Sequence, residues 1–226
     1  MPGVDLPYDV QTINSPNPLA KFAHRTRVAR SVKLCQSILP CRGTFVDFGA
    51  GSGLLLRELR QRLPEADLIG VEPHMPSSYP GSARYVPDLA RIGVEAADVI
   101  GAFEVCEHLY EEEIQEFLSE SARALRREGR LIISVPIVCG MAASAKKLHF
   151  VLFRGDRNFR LAETLRATFG LPVGRSSNPR STHDGFDFRW LRGLISDKFV
   201  IESTSFSPFP KLPWYLNSQV FFVCRR

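Results

Sequence analysis

The sequence lacks the features that mark membrane-spanning and secreted proteins. Its longest apolar run, Leu131 to Ala143, includes Pro136 and Gly140 and is shorter than the roughly 20 apolar residues that a membrane-spanning helix needs. Residues 1–15 are polar and interrupted by proline, whereas a secretory signal begins with a basic segment followed by an apolar one. We therefore expect a cytoplasmic protein with no transmembrane segment.

Cysteine is scarce and irregularly spaced. The chain has an odd number of cysteines, none in a C-x-x-C pair: Cys35, Cys41, Cys106, Cys139 and Cys224. This spacing indicates neither a zinc site nor a disulfide framework, so we expect reduced thiols. We also expect no metal site, because the sequence shows no other cluster with metal-ligand spacing.

The chain has only a small excess of positive charge, with a net charge of +5. Basic residues concentrate within residues 21–33 and 154–180, and such runs are usually solvated helix faces. Aromatic residues are not regularly interleaved with the first cluster, which makes nucleic acid an unfavoured partner. An anionic acceptor or a peripheral membrane contact is compatible with this charge, and the oligomeric state stays open. The length of 226 residues suits one α/β domain.

Glycine is concentrated where it indicates a function. The apolar run Phe45–Phe48 leads into alternating Gly49, Gly51 and Gly53, and an amphipathic stretch follows from Leu54. A buried strand that enters a helix through such a turn is typical of a doubly wound α/β fold. Glycine has no Cβ, so this backbone can approach a ligand closely, and the first N–H groups of the helix face that ligand.

The glycine spacing excludes two common ligand-binding loops. A dinucleotide fingerprint, G-x-G-x-x-G, would need glycine where Leu54 stands, and a P-loop would need a lysine that is not there. A tight turn without a ligand is the alternative, and three glycines alone leave it open.

The next predicted strand, Asp67–Pro73, carries Glu72 near its end, 25 residues after Asp47. An acid at about this offset contacts ribose in nucleotide-binding βαβ units, because a carboxylate can accept hydrogen bonds from both vicinal hydroxyls. The two signals together favour a nucleoside-containing ligand over an empty turn.

The second strong signal follows a predicted fourth strand that starts near Ala97. That strand ends in the sequence Glu-Val-Cys-Glu-His-Leu over residues 104–109, and Glu111–Glu113 begin a helix, where negative charge is favourable. We expect Ile114, Phe117, Leu118 and Leu125 to form the buried stripe of this helix. We expect Gly129 to end it, with Arg130–Pro136 as the fifth strand.

The pattern Asp47-x-Gly49-x-Gly51-x-Gly53, with residues 104–109 and 130–136, closely resembles the class I S-adenosylmethionine-dependent methyltransferases. Residues 182–187 are similar to a stretch found in those of quinone and glycan biosynthesis. The resemblance implies a Rossmann-like α/β fold with helices on both faces of a seven-stranded, mostly parallel sheet. The implied strand order is 3-2-1-4-5-7-6, with strand 7 antiparallel. It also implies one domain over residues 1–226, with an N-terminal helical cap at about 18–39 and a helical insert or lid at about 138–175.

The resemblance further implies S-adenosylmethionine as the cofactor and assigns residues to it. The implied cofactor-binding residues are Asp47, Gly49, Ala50, Gly51, Ser52, Gly53, Glu72, Pro73, Asp88, Leu89, Glu104 and Val105. The implied acid–base residues are His108, His183 and Asp184. Alternatives remain for several of them: His108 as a structural histidine, Asp88 as a turn cap, and residues 183–184 as a helix start capped by Asp187.

The implied reaction is methylation of oxygen on a small molecule, a glycan or a lipid-linked precursor. It requires the nucleophile to be held about 3–3.5 Å from the methyl carbon and, for a hydroxyl, a base. The alternatives are an RNA methyltransferase and a catalytically silent methyltransferase-fold binding module. The aromatic, proline-rich connector over residues 207–217 could be a rim for a lipid-linked substrate, a dimer contact, or a loop that packs over the sheet edge.

Overall fold

The computed structural model describes residues 18–73, 81, 83–139, 166, 178–180 and 185–226, with side chains from residue 25 onward. The described helices are α1 (Pro18–Ile38), α2 (Leu54–Arg62), α3 (Glu111–Ala124) and α4 (Phe188–Ser196). The described strands are β1 (Thr44–Phe48), β2 (Asp67–Val71), β3 (Arg84–Val86), β4 (Ala97–Phe103), β5 (Leu125–Pro136), β6 (Val200–Ser207) and β7 (Gln219–Arg225). Short 3₁₀ turns cover Leu89–Arg91, Cys106–His108 and Trp214–Leu216.

The strands form one sheet in the order β3-β2-β1-β4-β5-β7-β6. Strands β1 to β5 pair in parallel, while β7 runs antiparallel to both β5 and β6. This confirms the predicted strand order and the predicted reversal of strand 7. Parallel neighbours need crossover connections, usually helical, whereas β6 and β7 form a hairpin.

Helices cover both faces of the sheet, as predicted. Successive strand residues point to opposite faces, so Phe45 packs on one side and Val46 on the other. On the Phe45 side, α1 and α2 contribute Val32, Cys35, Leu56 and Leu59. On the Val46 side, α3 and α4 contribute Ile114, Phe117, Leu191 and Ile195. This two-sided burial explains why β1, β2, β4 and the second half of β5, from Leu131 onward, are mainly apolar.

The sequence predicts the start of α3 correctly but not its end. Its start agrees with the prediction: the backbone N–H of Tyr110 donates to Glu113 Oε2 at 2.8 Å, as in a capping box. The prediction that Gly129 ends the helix is wrong, because α3 ends at Ala124 and Leu125 already belongs to β5. A Cβ on Gly129 would lie 3.0 Å from the carbonyl oxygens of both Asp98 and Arg126, so close packing within the sheet, and not a helix end, favours glycine here.

The region predicted as an N-terminal helical cap, residues 18–39, contains the helix α1. The predicted insert at about 138–175 lies outside the described residues except for Val138, Cys139 and Arg166. Within the described part of the chain, no helix combines the length and apolar character needed to cross a membrane.

The parallel strands bring the predicted site residues to one edge of the sheet. Strands β1, β2, β4 and β5 end at Phe48, Val71, Phe103 and Pro136, and β7 begins beside Pro136 at Gln219. The carboxyl edge of an open α/β sheet is where such folds bind ligands.

Candidate active site

The glycine turn after β1 is fastened to the end of β2. The backbone N–H groups of Gly49 and Ala50 both donate to the carbonyl oxygen of Val71, at 2.9 and 3.2 Å. Gly49, Gly51 and Gly53 have φ angles of 74°, 50° and 70°, a region that other residues rarely occupy. The backbone of the turn therefore favours glycine at all three positions.

The three glycines face different surroundings. A Cβ on Gly49 would lie 2.6 Å from a methyl carbon of Val105, and one on Gly53 would collide with the hydroxyl of Tyr85. A Cβ on Gly51 would meet no atom of the described residues within 4 Å. Gly49 and Gly53 thus permit tight packing inside the protein, whereas Gly51 borders open space into which a ligand could fit.

The two acids predicted from spacing, Asp47 and Glu72, lie at this turn. Glu72 Oε2 accepts the Gly51 N–H at 3.0 Å, which holds the carboxylate against the turn. Asp47 is buried, and burial, assisted by the negative charge of Glu72, raises the pKa of Asp47 to about 8. Near neutral pH Asp47 is therefore largely protonated while it stands beside Glu72.

The other predicted cofactor-binding residues have varied surroundings. Ser52 and Pro73 are exposed beside the turn, whereas the side chains of Ala50 and Leu89 belong to the two apolar cores. Asp88 is exposed, and its carboxylate accepts the Arg91 N–H at 3.1 Å, so it does cap a turn as the alternative interpretation expected. A contact between Asp88 and a cofactor stays a prediction.

Glu104, directly after β4, is the centre of a polar network that ties several elements together. Its φ of 58° lies in the left-handed region although it is not a glycine, and such strain clusters at functional sites. Its carboxylate accepts hydrogen bonds from Arg27 Nη1 of α1 and from Gln219 Nε2 of β7, each at 2.6 Å. Gln219 Nε2 also donates to Ser134 Oγ of β5 at 3.2 Å.

Sequence reasoning missed the partners of Glu104. Arg27 is 77 residues away and Gln219 is 115 residues away, and no local motif relates positions so distant. Arg27 was instead predicted to lie on a solvated basic face. Only a polar residue at the start of an otherwise apolar final strand, Gln219, hinted at a buried polar partner.

Glu107 is a second residue whose position the sequence did not indicate. It is 1% exposed, and neither carboxylate oxygen accepts a hydrogen bond from another described residue. Burial, followed by the charge of Glu104, raises its pKa well above the usual value, against the smaller opposing effects of its own backbone N–H and of Arg27. Glu107 is therefore a neutral carboxylic acid within the wall of the site.

His108, the predicted base, is half-buried in the same 3₁₀ turn. Burial lowers its pKa below 6.5, while Glu104 and a hydrogen bond to the carbonyl oxygen of Pro179 act in the opposite direction. The imidazole is therefore mainly neutral near pH 7, the form that can accept a proton. Arg180, next to Pro179, contacts the start of α3. Its guanidinium lies 2.5 Å from Glu113 Oε1 and 5.5 Å from the ring centre of Tyr110.

The second predicted acid–base pair, His183 and Asp184, lies outside the described residues. Asp187 does cap the helix that follows, because its carboxylate accepts the Arg189 N–H at 2.8 Å. Among the residues the structure describes, which omit 181–184, no group of three potential ligands is placed to hold a metal ion.

Comparison with known proteins identifies the family of this chain. Residues 20–170 match the family model described as a methyltransferase domain. No curated protein sequence gives a significant match.

Solved structures share the fold at low sequence identity. A TehB-like SAM-dependent methyltransferase from Corynebacterium glutamicum aligns over 93% of this chain and 100% of its own, with a TM-score of 0.51 and 17% identity. Magnesium protoporphyrin IX methyltransferase from Synechocystis, solved with bound SAH, aligns over 93% and 88%, with a TM-score of 0.57 and 18% identity. Geranyl diphosphate C-methyltransferase from Streptomyces coelicolor aligns over 98% and 90%, with a TM-score of 0.52 and 13% identity.

Proposed function

The chain belongs to the methyltransferase domain family, and from that premise we propose that it is an S-adenosylmethionine-dependent methyltransferase. We propose oxygen of a small molecule, a glycan or a lipid-linked precursor as the methyl acceptor. The related structures named above differ widely in what their names say they methylate, so the acceptor class rests on the sequence resemblance and on the surroundings of His108.

The observation that carries the proposal is the open glycine turn beside Glu72. Gly51 has free space where a side chain would be, and its N–H already holds Glu72 Oε2. The turn thus offers room for a ligand and a carboxylate at the ends of adjacent strands β1 and β2. A carboxylate suits the vicinal hydroxyls of a ribose, so these residues fit a nucleoside-containing cofactor.

The proposed cofactor supplies a methyl group already activated by a sulfonium charge. The glycine turn and Glu72 would hold its nucleoside part. Val105, which packs against Gly49, and Glu104 would border its other end after β4. The protein's main task is then to position the acceptor, because orientation alone contributes several kcal/mol, up to roughly 7–11 kcal/mol in favourable cases.

We propose His108 as the group that receives the acceptor's proton. Its lowered pKa keeps the imidazole neutral near pH 7, and its bond to Pro179 fixes the ring. Glu107, a neutral acid buried beside it, adds no negative charge that would raise the pKa of His108. The resemblance also implies a helical cap, which α1 would form, and an insert at about 138–175. We propose that both enclose the region around His108.

Calorimetric titration of the folded protein with S-adenosylmethionine and with S-adenosylhomocysteine tests the proposal. We expect dissociation constants of about 1 μM or below. Glu72→Gln should weaken both by about tenfold, because it removes the charge from a hydrogen-bonded carboxylate.

Glu65→Gln is the matched control. Glu65 is exposed, pairs with Arg42, and precedes β2, so it lies at the edge of the sheet opposite to the glycine turn. The control variant should bind like the wild type. Absence of binding to folded wild-type protein refutes the function, and binding without methyl transfer to any hydroxyl-bearing acceptor favours the silent module.

A further inference from the structure

The connector between β6 and β7, residues 207–217, presents large apolar side chains to solvent. Phe209, Leu212, Tyr215 and Leu216 are 52%, 44%, 40% and 37% exposed. Only three other large hydrophobic residues of the described chain are exposed: Val94, Tyr110 and Val200. Four of seven therefore lie within eight residues, and such clustering marks an interaction surface.

The connector backbone is held in one shape by a buried side chain, that of Asn217. Its Oδ1 accepts the Phe209 N–H at 2.7 Å, and its Nδ2 donates to the carbonyl oxygens of Phe209, Leu212 and Pro213 at 3.0–3.2 Å. Trp214 packs against Phe188 of α4, with ring centres 5.7 Å apart. The loop is thus anchored on its inner side while its apolar side chains stay outside, which is not the arrangement of a loop that merely covers the sheet edge.

The position and charge of the connector indicate which kinds of partner could bind there. Ser207 pairs with Gln219, and Gln219 pairs with Pro136, so the connector lies at the carboxyl edge, where the glycine turn also lies. Residues 207–217 include no acidic residue, and Lys211 is exposed among the apolar side chains. The guanidinium of Arg189 lies 5.5 Å from the ring centre of Trp214 but pairs with Asp187 at 2.7 Å, so Lys211 is the basic residue that the connector itself presents.

We propose that this connector docks on a lipid surface that contains anionic head groups. Tyrosine and tryptophan favour the head-group level of a bilayer, where one end of the ring is apolar and the other wet. Phenylalanine and leucine would enter the acyl boundary, and basic residues add attraction to anionic lipid. A second copy of this chain is the competing occupant, and the test below separates it from a lipid surface. The proposal does not depend on the methyl-transfer reaction.

Sedimentation with vesicles tests it directly. Wild-type protein should bind vesicles of phosphatidylcholine mixed with phosphatidylglycerol more tightly than vesicles of phosphatidylcholine alone. The double variant Phe209→Ser/Leu212→Ser should reduce the partition coefficient by about tenfold or more. Lys211→Glu should reduce binding only to the mixed vesicles, and added salt should do the same to the wild type.

The matched control is Val94→Ser/Val200→Ser. It removes two apolar side chains that are 70% and 51% exposed. Val94 precedes β4 and Val200 begins β6, so both lie at the opposite edge of the sheet. The control should bind vesicles like the wild type, and thermal unfolding should show that both double variants stay folded. The proposal is overturned if wild-type protein does not bind mixed vesicles or if the control loses as much binding. It is also overturned if the connector variant instead dissolves a dimer seen in sedimentation velocity.

Discussion

Replacing Gly51 by aspartate should abolish cofactor binding and leave the protein folded. At φ 50° the left-handed backbone costs an ordinary residue about 1–2 kcal/mol, and aspartate is among the residues that tolerate it best. Its Cβ would meet no atom within 4 Å in the part of the chain that the structure describes. We therefore expect a loss of about 1 kcal/mol in the free energy of unfolding, which lowers Tm by roughly 2–4 °C in a domain of this size.

The effect on binding should be much larger than the effect on stability. The new carboxylate would project into the space over the turn and stand beside Glu72, whose Oε2 is 3.0 Å from the Gly51 nitrogen. Steric exclusion and a second negative charge should weaken S-adenosylhomocysteine binding by at least about 100-fold, or about 2.7 kcal/mol. Calorimetric titration measures the binding, and thermal unfolding of the same samples measures the stability.

Two further variants separate a ligand-facing glycine from a packing glycine. Gly193→Asp makes the same replacement in α4, also in open surroundings, and should bind the ligand normally. Gly53→Ala is a smaller change, yet it should cost about 2–4 kcal/mol, because its Cβ would displace the Tyr85 hydroxyl at a positive φ. The reasoning is refuted if Gly51→Asp binds like the wild type, or if it is destabilised as much as Gly53→Ala.

Two predictions concern the buried polar groups of the ligand-free protein. The unfolded chain ionises Asp47 near pH 3.8, but the folded protein keeps it protonated to about pH 8, so rising pH destabilises the wild type across this window by at most about 1.4 kcal/mol per pH unit. Asp47→Asn should therefore gain stability relative to the wild type between pH 5 and pH 8 in urea unfolding, and a constant difference would contradict the assigned protonation. Gln219→Leu removes a donor to Glu104 and Ser134 and should cost about 1–3 kcal/mol. Gln115→Leu, at an exposed position of α3, should cost almost nothing, and an equal loss in both variants would mean that the Glu104 network does not stabilise the fold.

The sequence predicted the strands and the glycine turn because these depend on local patterns, whereas the strand order was implied by the resemblance to the class I methyltransferases. Apolar runs such as Phe45–Phe48 indicate buried parallel strands, and the alternating glycines indicate a turn that residues without a Cβ form most readily. The boundary between α3 and β5 was mispredicted for the same reason. Gly129 looks like a helix end locally, yet close packing against the carbonyl oxygens of Asp98 and Arg126 favours glycine there.

The site shows a similar division between local and distant information. Asp47 and Glu72 could be paired from their spacing, since one βαβ unit fixes how its two strand ends meet. The network of Arg27, Glu104 and Gln219 could not, because its members come from a helix and two strands that are separate in sequence.

The sequence by itself determined that this chain forms a doubly wound sheet with a glycine turn at its carboxyl edge. Tertiary structure alone decided which glycine faces open space, which acids are kept neutral, and which apolar side chains remain outside. The physical reason is that hydrophobic period and glycine content act through neighbouring residues. Burial, pKa and exposure depend instead on what the rest of the chain places around each group.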